Sequence, residues 1–315
     1  MKKEMYYVYE IYREKSFSKA AEKLFISQPA LSAIVKKLEN EIGLPLFDRS
    51  AKPIRLTEAG KFYIQSTRKI MDIESDMEAY FHDLSSLQTG TVRLGAATYF
   101  CTYILPPVIH SFSASYPGLK VQLTEGSSPE ILELLKDSSL DFSLDNLTCE
   151  EPGFLCRTYA SESIILAVPS CLKSAELLAE KSLSHTDIRN GRHLSENCPG
   201  VSLKAFENES FILLRRGNDM YQRASDMFGR AGISPTVSMY LDQMMTAYHC
   251  AASQMGITFI RDSILHYVPE TDRLVFFKLL DPSAKRGIYL TYQNDRYLPR
   301  AAAAFLKFLI PSNQS

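Results

Sequence analysis

A stripe of aliphatic side chains between residues 31 and 42 constrains the fold of this chain more than any other local feature. The apolar residues recur at spacings of three and four, so they share one face of a helix: Leu31, Ile34, Val35, Leu38 and Ile42. Pro29 suits the first turn of this helix, where no backbone donor is needed, and Gly43 suits its end, where left-handed residues are common. The pattern predicts a helix that buries one face.

The opposite face of this predicted helix carries small, amide-bearing and cationic side chains: Gln28, Pro29, Ser32, Ala33, Lys36, Lys37 and Asn40. Glutamine can bond adenine, serine can bond bases or phosphates, and lysine neutralises phosphates, so such a face suits the major groove of DNA. An ordinary amphipathic helix with a solvated polar face is the alternative, and this helix alone does not decide between the two.

The segments on either side of this helix favour DNA binding. Ser16 can cap a short helix at about 19–24, and a three-residue turn at 25–27 separates that helix from the striped one, which predicts a helix-turn-helix. Residues 47–57 predict a β-wing. A solvated loop is the alternative for the wing, which carries three cations that can lie against the sugar-phosphate backbone: Arg49, Lys52 and Arg55.

A heptad pattern marks a long helix that starts at Glu58, behind Thr57 as its cap, and runs to about residue 87. Its apolar positions step alternately by three and four: Ile70, Ile73, Met77, Tyr80, Leu84 and Leu87. Some thirty residues make a rod of roughly 45 Å, whose stripe must be buried against something. We predict a homodimeric coiled coil that holds two DNA-binding heads apart. A long helix packed on its own chain is the alternative, although many polar residues argue against deep burial.

The remainder of the chain, from residue 91, alternates candidate strands and helices, which indicates α/β architecture. We predict strands at 92–96, 119–124, 142–145, 164–169, 211–214, 237–241, 257–260, 275–279 and 288–292. We predict helices at about 103–115, 129–137, 219–231, 243–254 and 298–309. The irregular composition of residues 170–206 yields no structural prediction.

Composition indicates a globular cytosolic protein of two or three domains. The 315 residues are 45% hydrophobic and 23% charged, without a transmembrane-length apolar run or an apolar export signal at the start. Six scattered cysteines indicate reduced thiols. Residues 1–60 carry eleven Lys and Arg against eight Asp and Glu, whereas the remainder is net acidic. This asymmetry weakly favours an anionic partner for the N-terminal segment.

The motifs of residues 16–60 resemble the N-terminal signature of LysR-type transcriptional regulators. The match comprises residues 16–32 together with Leu38-Glu39, Gly43-x-x-Leu46-Phe47-x-Arg49 and Leu56-Thr57-x-Ala59-Gly60. Over 91–315 the likeness is looser and depends on Gly126, Leu134-Leu135, Leu140-Asp141, residues 211–213 and residues 255–258.

The resemblance implies an α+β multidomain fold. A winged helix-turn-helix would occupy 1–60, a linker and dimerisation helix 58–89, and a two-lobed α/β effector domain like a type-2 periplasmic binding protein 91–315. Lobe one would comprise 91–160 and 268–315, and lobe two 161–267. The resemblance also implies a cytoplasmic homodimer or homotetramer that binds double-stranded promoter DNA and responds to a small-molecule effector, with no membrane partner. RNA polymerase is a further candidate partner.

By position, the resemblance assigns DNA contacts to Phe17, Ser18, Ser27, Gln28, Pro29, Ser32, Ala33, Lys36, Lys37, Arg49, Lys52 and Arg55. Gln28, Pro29, Ser32 and Lys36 would face bases, and the wing arginines would hold phosphates. Family members often carry a basic residue where this chain has Ala33. The backbone contact made there is therefore absent, or it is taken up by Lys36 or Lys37.

An effector would lie between the two lobes, near strand ends and helix starts. The candidate residues there are Thr98, Tyr99, Ser127, Ser128, Asn146, Arg215, Arg216, Asn218 and Gln243. Helix N-termini favour anions, and Arg215 or Arg216 can clamp a carboxylate, so we hypothesise a carboxylate-bearing effector. The alternative is that the Ser and Thr residues only cap helices and that the arginines form surface ion pairs.

Sequence motifs of catalysis and metal binding are absent. The chain lacks His-Glu-x-x-His, the P-loop and Gly-x-Ser-x-Gly, so we expect no enzymatic activity and no cofactor. His185, His193 and Cys198 share a segment but lack metal-ligand spacing. Since one branch of the family senses peroxide with paired thiols, a Cys171 and Cys198 pair is a minority alternative. The rival class is an enzyme or solute-binding protein whose N-terminal segment only dimerises.

Overall fold

The computed structural model describes residues 2–51, 53–85, 89–146 and 152–310. It confirms the α+β architecture: a helical head with a small wing, one long helix, and a two-lobed body built on β-sheet. Separate clusters of buried apolar side chains lie in the head and in each lobe of the body.

The head contains three helices and a two-stranded wing. Its elements are α1 Lys2–Glu14, α2 Phe17–Lys23, α3 Gln28–Ile42, β1 Phe47–Asp48 and β2 Arg55–Leu56. Ser16 Oγ accepts a hydrogen bond from Lys19 N, and Ser27 Oγ accepts one from Ala30 N, so a serine caps each helix of the predicted helix-turn-helix.

The apolar stripe of α3 forms part of the head core. Leu31, Val35 and Leu38 are buried, whereas Ile42 is 39% exposed. The prediction is therefore correct for the first turns and wrong at the last position. The helix ends directly after Ile42 at Gly43, whose φ of 78° stops it.

The long helix α4 spans Glu58–Ser85. Thr57 Oγ1 accepts a hydrogen bond from Gly60 N and donates one to Pro45 O, which fixes the start of α4 against the head. A Cβ at Gly60 would lie 2.0 Å from Leu46 O, so only glycine permits this close approach. Leu87 and the side chain of Leu84 lie outside the described residues.

Two sheets form the body, and each predicted strand is present in it. The strands are β3 Gly90–Ala96, β4 Leu119–Glu125, β5 Phe142–Asp145, β6 Phe154–Pro169, β7 Ser210–Leu214, β8 Thr236–Leu241, β9 Ile257–Arg261, β10 Leu274–Lys278 and β11 Lys285–Gln293. Lobe one is built on the order β4-β3-β5-β11-β6, and lobe two on β6-β9-β7-β8 with β10 beside β6.

The strand β6 belongs to both sheets. Its first half pairs with β11 and its second half with β9 and β10, so it crosses from lobe one into lobe two. The predicted strand at 164–169 is only the second half, where every residue is buried. The first half is partly exposed and lacks the continuous apolar run that a fully buried strand shows.

The second boundary between the lobes lies later than predicted. Strand β10 pairs with residues 165–169 of β6 and its Phe276 and Phe277 belong to the core of lobe two. The segment from 268 through β10 therefore lies with lobe two, which corrects the predicted start of the second part of lobe one at 268. An alternation of strands and helices does not reveal which sheet a strand joins.

Helices cover both sheets. They are α5 Leu105–Ser115, α6 Ser128–Lys136, α7 Lys173–Leu177, α8 His185–Arg189, α9 Asp219–Ala231, α10 Met244–Ala252 and α11 Arg300–Leu309. A π-helical turn at Phe100–Ile104 precedes α5. The unpredicted region 170–206 consists of short helices and turns that bury apolar side chains in the core of lobe two: Leu183, Ile188, Val201, Leu203 and Phe206.

Candidate functional site

The outer face of α3 is exposed as predicted. Gln28, Pro29, Ala33, Lys36 and Lys37 are exposed, and Ser32 is half-buried. The flank opposite the buried stripe therefore offers an amide, small side chains and two cations along nearly three helical turns. Contact with DNA at these positions stays a prediction.

Two predicted contact residues have structural roles in the head. Ser27 caps α3, so its hydroxyl is engaged with the backbone. The half-buried ring of Phe17 packs edge-on against Phe47 with ring centroids 5.6 Å apart. Ser18 is exposed at the start of α2.

The wing is attached to α3 through Arg49. Its Nη1 donates to Ser32 Oγ at 3.2 Å, and its Nη2 lies 3.0 Å from Glu39 Oε2. Glu39 Oε1 accepts hydrogen bonds from the backbone N–H groups of Leu46 and Phe47, at 2.8 and 3.3 Å. Arg49 thus holds the wing and α3 together, a role beyond the predicted phosphate contact.

Of the other two wing cations, Arg55 and Lys52, only Arg55 belongs to the described residues. Arg55 is exposed on β2, where a phosphate can reach it. Lys52 lies outside the described residues.

The linker helix α4 has one uncovered apolar face. Ile73, Met77 and Tyr80 are 60%, 52% and 48% exposed within the single chain, and Phe62 and Phe81 are exposed as well. Ile73, Met77 and Tyr80 belong to the stripe that the heptad pattern predicts to pair with a second copy, whereas Phe62 and Phe81 lie outside that pattern.

Another face of α4 packs on its own chain, as the second alternative expects, whereas pairing with a second copy stays a prediction. Arg296 Nη2 donates to Asp76 Oδ1 at 2.5 Å, and Tyr297 Oη donates to Asp83 Oδ2 at 2.7 Å. Near the head, Arg68 Nη2 lies 3.5 Å from Glu133 Oε2 of α6. The linker therefore contacts lobe one in its first half, at Arg68, and again in its second half, at Asp76 and Asp83.

The predicted effector residues of lobe one mostly cap or brace the start of α6. Ser127 donates from N and Oγ to Glu130 Oε2, at 2.9 and 2.7 Å, and Ser128 is the first residue of α6. Thr98 Oγ1 donates to Glu125 Oε1 at 2.5 Å. Ser127 therefore caps α6, as the alternative predicts, because the carboxylate that it contacts belongs to Glu130 of that same helix.

Tyr99 bridges the two lobes. Its Oη donates to Ser263 Oγ at 2.7 Å, and its ring centroid lies 4.5 Å from the Arg261 guanidinium carbon. Burial raises the pKa of Tyr99 to about 12, so the phenol stays protonated at neutral pH. Beside it, the rings of Tyr103 and Tyr267 approach to 4.6 Å between centroids.

Buried charges surround Asn146 where strands of the two lobes meet. Glu162 Oε1 accepts hydrogen bonds from Asn146 Nδ2 at 3.0 Å, from Arg261 Nη1 at 2.9 Å and from Arg286 Nε at 2.5 Å. Glu162 and Arg286 lie on β6 and β11, and Arg261 ends β9. The contacts join strands of both lobes.

Asp219 extends this cluster into lobe two. It accepts a hydrogen bond from Arg286 Nη1 and one from Arg223 Nε at 3.0 Å. We call the five ion-paired residues the floor network: Glu162, Asp219, Arg223, Arg261 and Arg286. Burial lowers the pKa of Arg286 to about 10, and the neighbouring Arg261 acts in the same direction.

The predicted arginine clamp of lobe two is not at this floor. Arg215 Nε lies 3.6 Å from Asp242 Oδ1 with both side chains about two-thirds exposed, and Arg216 Nε donates to Tyr221 Oη at 3.2 Å. Asn218 caps α9 by accepting a hydrogen bond from Met220 N. Gln243 precedes α10 and is exposed.

None of the residues of the floor network is among those that the sequence predicts for the effector site. Glu162 is separated by one residue from the apolar run that begins at Ile164, and Arg261 stands directly after the largely apolar residues 257–260 of strand β9. A charge at the end of a buried strand is the signal that points to such residues, because it must find a partner there. The sequence does not indicate that the partners are 99 and 124 residues apart.

A polar cavity of about 560 Å³ lies elsewhere, between α4 and lobe one. Its lining includes Asp76, Arg93, Lys120, Asp141 and Arg296. Because it adjoins the starts of β3 and β4, it is at the opposite sheet edge from Tyr99, and we do not assign the effector to it.

Within the described residues, His, Cys, Asp and Glu side chains form no group of three suited to a metal ion. In the same part of the chain, no helix combines the length and apolar character needed to cross a bilayer. His193 Nε2 pairs with Asp262 Oδ2 at 2.8 Å. Cys198 is buried and Cys171 is exposed, and a redox role for them stays untested.

Two family models together cover most of the chain. The one described as "Bacterial regulatory helix-turn-helix protein, lysR family" matches residues 3–61, and the one described as "LysR substrate binding domain" matches residues 85–313. The uncharacterized HTH-type transcriptional regulator YcgK of Bacillus subtilis (strain 168) is 28% identical over 310 residues, which are 97% of this chain and 92% of YcgK.

Solved structures show the same fold. Full-length CbnR complexed with its target DNA matches with 18% identity and a TM-score of 0.57, over 98% of each chain. The effector binding domain of QuiR in complex with shikimate matches with 16% identity and a TM-score of 0.55, over 70% of this chain and 95% of that one.

Proposed function

The chain belongs to the LysR family of transcriptional regulators, and from that premise we propose that it binds promoter DNA as a homo-oligomer under the control of a carboxylate-bearing small molecule. It is a regulator with a helix-turn-helix DNA-binding domain and an effector-binding domain, and its relatives belong to a non-enzymatic class. A promoter-bound protein would act in the cytoplasm, where RNA polymerase is a candidate partner.

The exposed flank of α3 is the observation that carries the DNA-binding proposal. Gln28 and Ser32 lie at the N-terminal end, which is the part of a recognition helix that meets base edges. Lys36 and Lys37 lie one turn later, where they can neutralise phosphates. Since Ala33 offers no charge, these two lysines and the wing arginines would supply the backbone contacts.

The uncovered stripe of α4 supports the oligomer. Ile73, Met77 and Tyr80 are exposed in the single chain, although their seven-residue repeat is that of a helix–helix seam. A second copy of the same helix would bury them and place two heads at a fixed separation, as two DNA half-sites require.

The position of the cleft supports a carboxylate effector. The carboxyl ends of β3, β4 and β5 meet at one edge of the sheet, and the carboxyl ends of parallel strands are common places for ligands to bind. QuiR, whose effector domain shares the fold, was solved with shikimate, which is a carboxylate.

Fluorescence anisotropy with DNA from upstream of the coding region tests the proposal. Full-length protein should bind this DNA, more weakly as salt rises, because phosphate neutralisation releases counterions. A carboxylate panel should contain compounds that change this affinity. A protein without salt-dependent DNA binding would refute the regulator proposal, and DNA binding unaffected by any carboxylate would refute the effector class.

A further inference from the structure

We propose that Arg261 and Arg286, where strands of the two lobes meet, bind the anionic group of the effector, and that Glu162 is a built-in competitor which sets the affinity. This inference rests on the proposed effector function. It assigns the anion to the floor network and away from Arg215 and Arg216.

The floor network carries an excess of positive charge. Three guanidinium groups, of Arg223, Arg261 and Arg286, share two carboxylates, of Glu162 and Asp219. The side chains of Glu162, Arg261 and Arg286 are 2%, 10% and 3% exposed, so water compensates this charge poorly. An uncompensated buried charge is costly, and one bound anion would neutralise the network.

Two buried N–H groups of the network lack an acceptor. Among the described residues, neither Arg261 Nε nor Arg286 Nη2 has a hydrogen-bond partner. Buried polar groups are almost always paired, so each such donor calls for an explanation. A carboxylate has two oxygens with room for four hydrogen bonds, so one such group can serve both arginines.

Glu162 already accepts hydrogen bonds from the two guanidinium groups that an incoming carboxylate would contact. Its two oxygens accept from Arg261 Nη1 at 2.9 Å, and Oε1 also accepts from Arg286 Nε. This internal carboxylate lowers the attraction of the floor for a second anion. Without its charge, the two guanidinium groups would attract an external anion more strongly.

The location links this charge balance to both lobes. Glu162 lies on the strand that crosses between the sheets, and the rings of Tyr99 and Phe100 from lobe one cover the Arg261 guanidinium at 4.5 and 4.9 Å. The rings exclude water above Arg261, which strengthens its attraction for an anion. An anion that enters must displace Tyr99, and would thereby alter the contact of Tyr99 with Ser263.

Opposite charge changes at neighbouring positions test the proposal. Sodium benzoate and sodium sulfate would be titrated into the full-length protein at constant ionic strength, with the thermal midpoint as readout. For wild type we expect the thermal midpoint to rise with anion concentration and to reach a plateau. Glu162→Gln should lower the half-saturating anion concentration about tenfold, and Arg261→Gln should raise it about tenfold. Arg215→Ala/Arg216→Ala is the matched control and should stay within about twofold of wild type.

A merely structural role would weaken anion binding in both floor variants, and that result would overturn the proposal. The proposal would also be overturned if neither wild type nor Glu162→Gln showed a saturable effect of the anions on the thermal midpoint. Loss of this effect in the Arg215→Ala/Arg216→Ala control would overturn it as well. If Arg261→Gln does not fold, Arg261→Lys keeps the charge, loses the planar fork and should bind at intermediate strength. DNA affinity, measured in parallel, separates this failure from that of the proposed function, because a floor variant that binds DNA like wild type is still a regulator.

Discussion

Arg49 Nη1 of the wing lies 3.2 Å from Ser32 Oγ on α3, so the wing and the helix expected to read DNA form one unit. Glu39 completes the connection by accepting hydrogen bonds from Arg49 and from the backbone at the start of β1. The orientation of the wing relative to α3 therefore depends on Glu39 and Arg49 as well as on the exposed residues expected to contact DNA.

We expect Glu39→Ala to destabilise the head by about 1–3 kcal/mol, because it leaves two backbone N–H groups and Nη2 of Arg49 without their acceptor. Urea unfolding of the full chain, followed by a probe in the head, measures this loss. Glu41→Ala is the control, since Glu41 is 62% exposed and 3.9 Å from Lys37. Its effect should stay within about 0.5 kcal/mol. Equal effects of the two variants would contradict the role of Glu39.

Removal of one phosphate-neutralising lysine should weaken binding to all DNA sequences alike. For Lys36→Ala we expect the slope of log affinity against log salt to fall by about 1, with the sequence preference unchanged. Anisotropy titrations at several salt concentrations provide the slope. Lys61→Ala changes an exposed lysine of α4 that is not among the predicted DNA contacts, and should leave the slope as in wild type. A slope unchanged in Lys36→Ala would mean that this residue contacts no phosphate.

Replacement of Ile73 and Met77 by Asp should produce monomers that bind half-sites poorly, because charges would lie in the predicted helix–helix seam. Sedimentation velocity reports the oligomeric state. Gln65→Asp places a charge on the same helix about 80° around from Ile73 and should leave the oligomer intact. An Ile73→Asp/Met77→Asp protein that sediments like wild type would disprove the coiled coil.

The ion pair of Arg230 with Asp281 should make stability depend on pH. The hydrogen bond from Arg230 and those from Ser283 hold the pKa of Asp281 at about 2, below its usual 3.8. A depressed carboxyl pKa stabilises the fold above the unfolded-state pKa, and this contribution is lost as pH falls from about 4 towards 2.

Asp281→Asn should therefore cost about 2 kcal/mol at pH 7, and the difference from wild type should shrink below pH 4. Urea unfolding across this pH range measures both values. Asp242→Asn removes a carboxylate that is 68% exposed, so it should unfold much like wild type at each pH. A cost for Asp281→Asn that is the same at pH 7 and pH 3 would contradict the assignment.

Local patterns predicted the elements well because apolar periodicity directly reflects burial. The α3 stripe and the nine strands of the body follow from runs of aliphatic residues. Pairing between distant strands leaves no such trace, and for that reason β10 was assigned to the wrong lobe.

The candidate site was predictable to a smaller extent. Gln28 and Lys36 face outward because the buried stripe fixes the rotation of α3. The cleft required tertiary knowledge: Arg215 looked suited to an anion but pairs with Asp242 at the surface, whereas Arg261 and Arg286 meet only when β9 and β11 are folded. Hydrogen-bond partners far apart in the chain are not encoded in any short motif.

The outward flank of α3 is the central claim, and selection of binding sequences from random DNA tests it most directly. The profile of wild type would be compared with those of Gln28→Ala and of Glu41→Ala, an exposed control at the end of α3 outside the predicted DNA-facing flank. We predict that Gln28→Ala loses its preference at one base-pair position of each half-site, at a cost of about 1–3 kcal/mol, while Glu41→Ala keeps the wild-type profile. An unchanged profile for Gln28→Ala would contradict the proposed DNA-reading face.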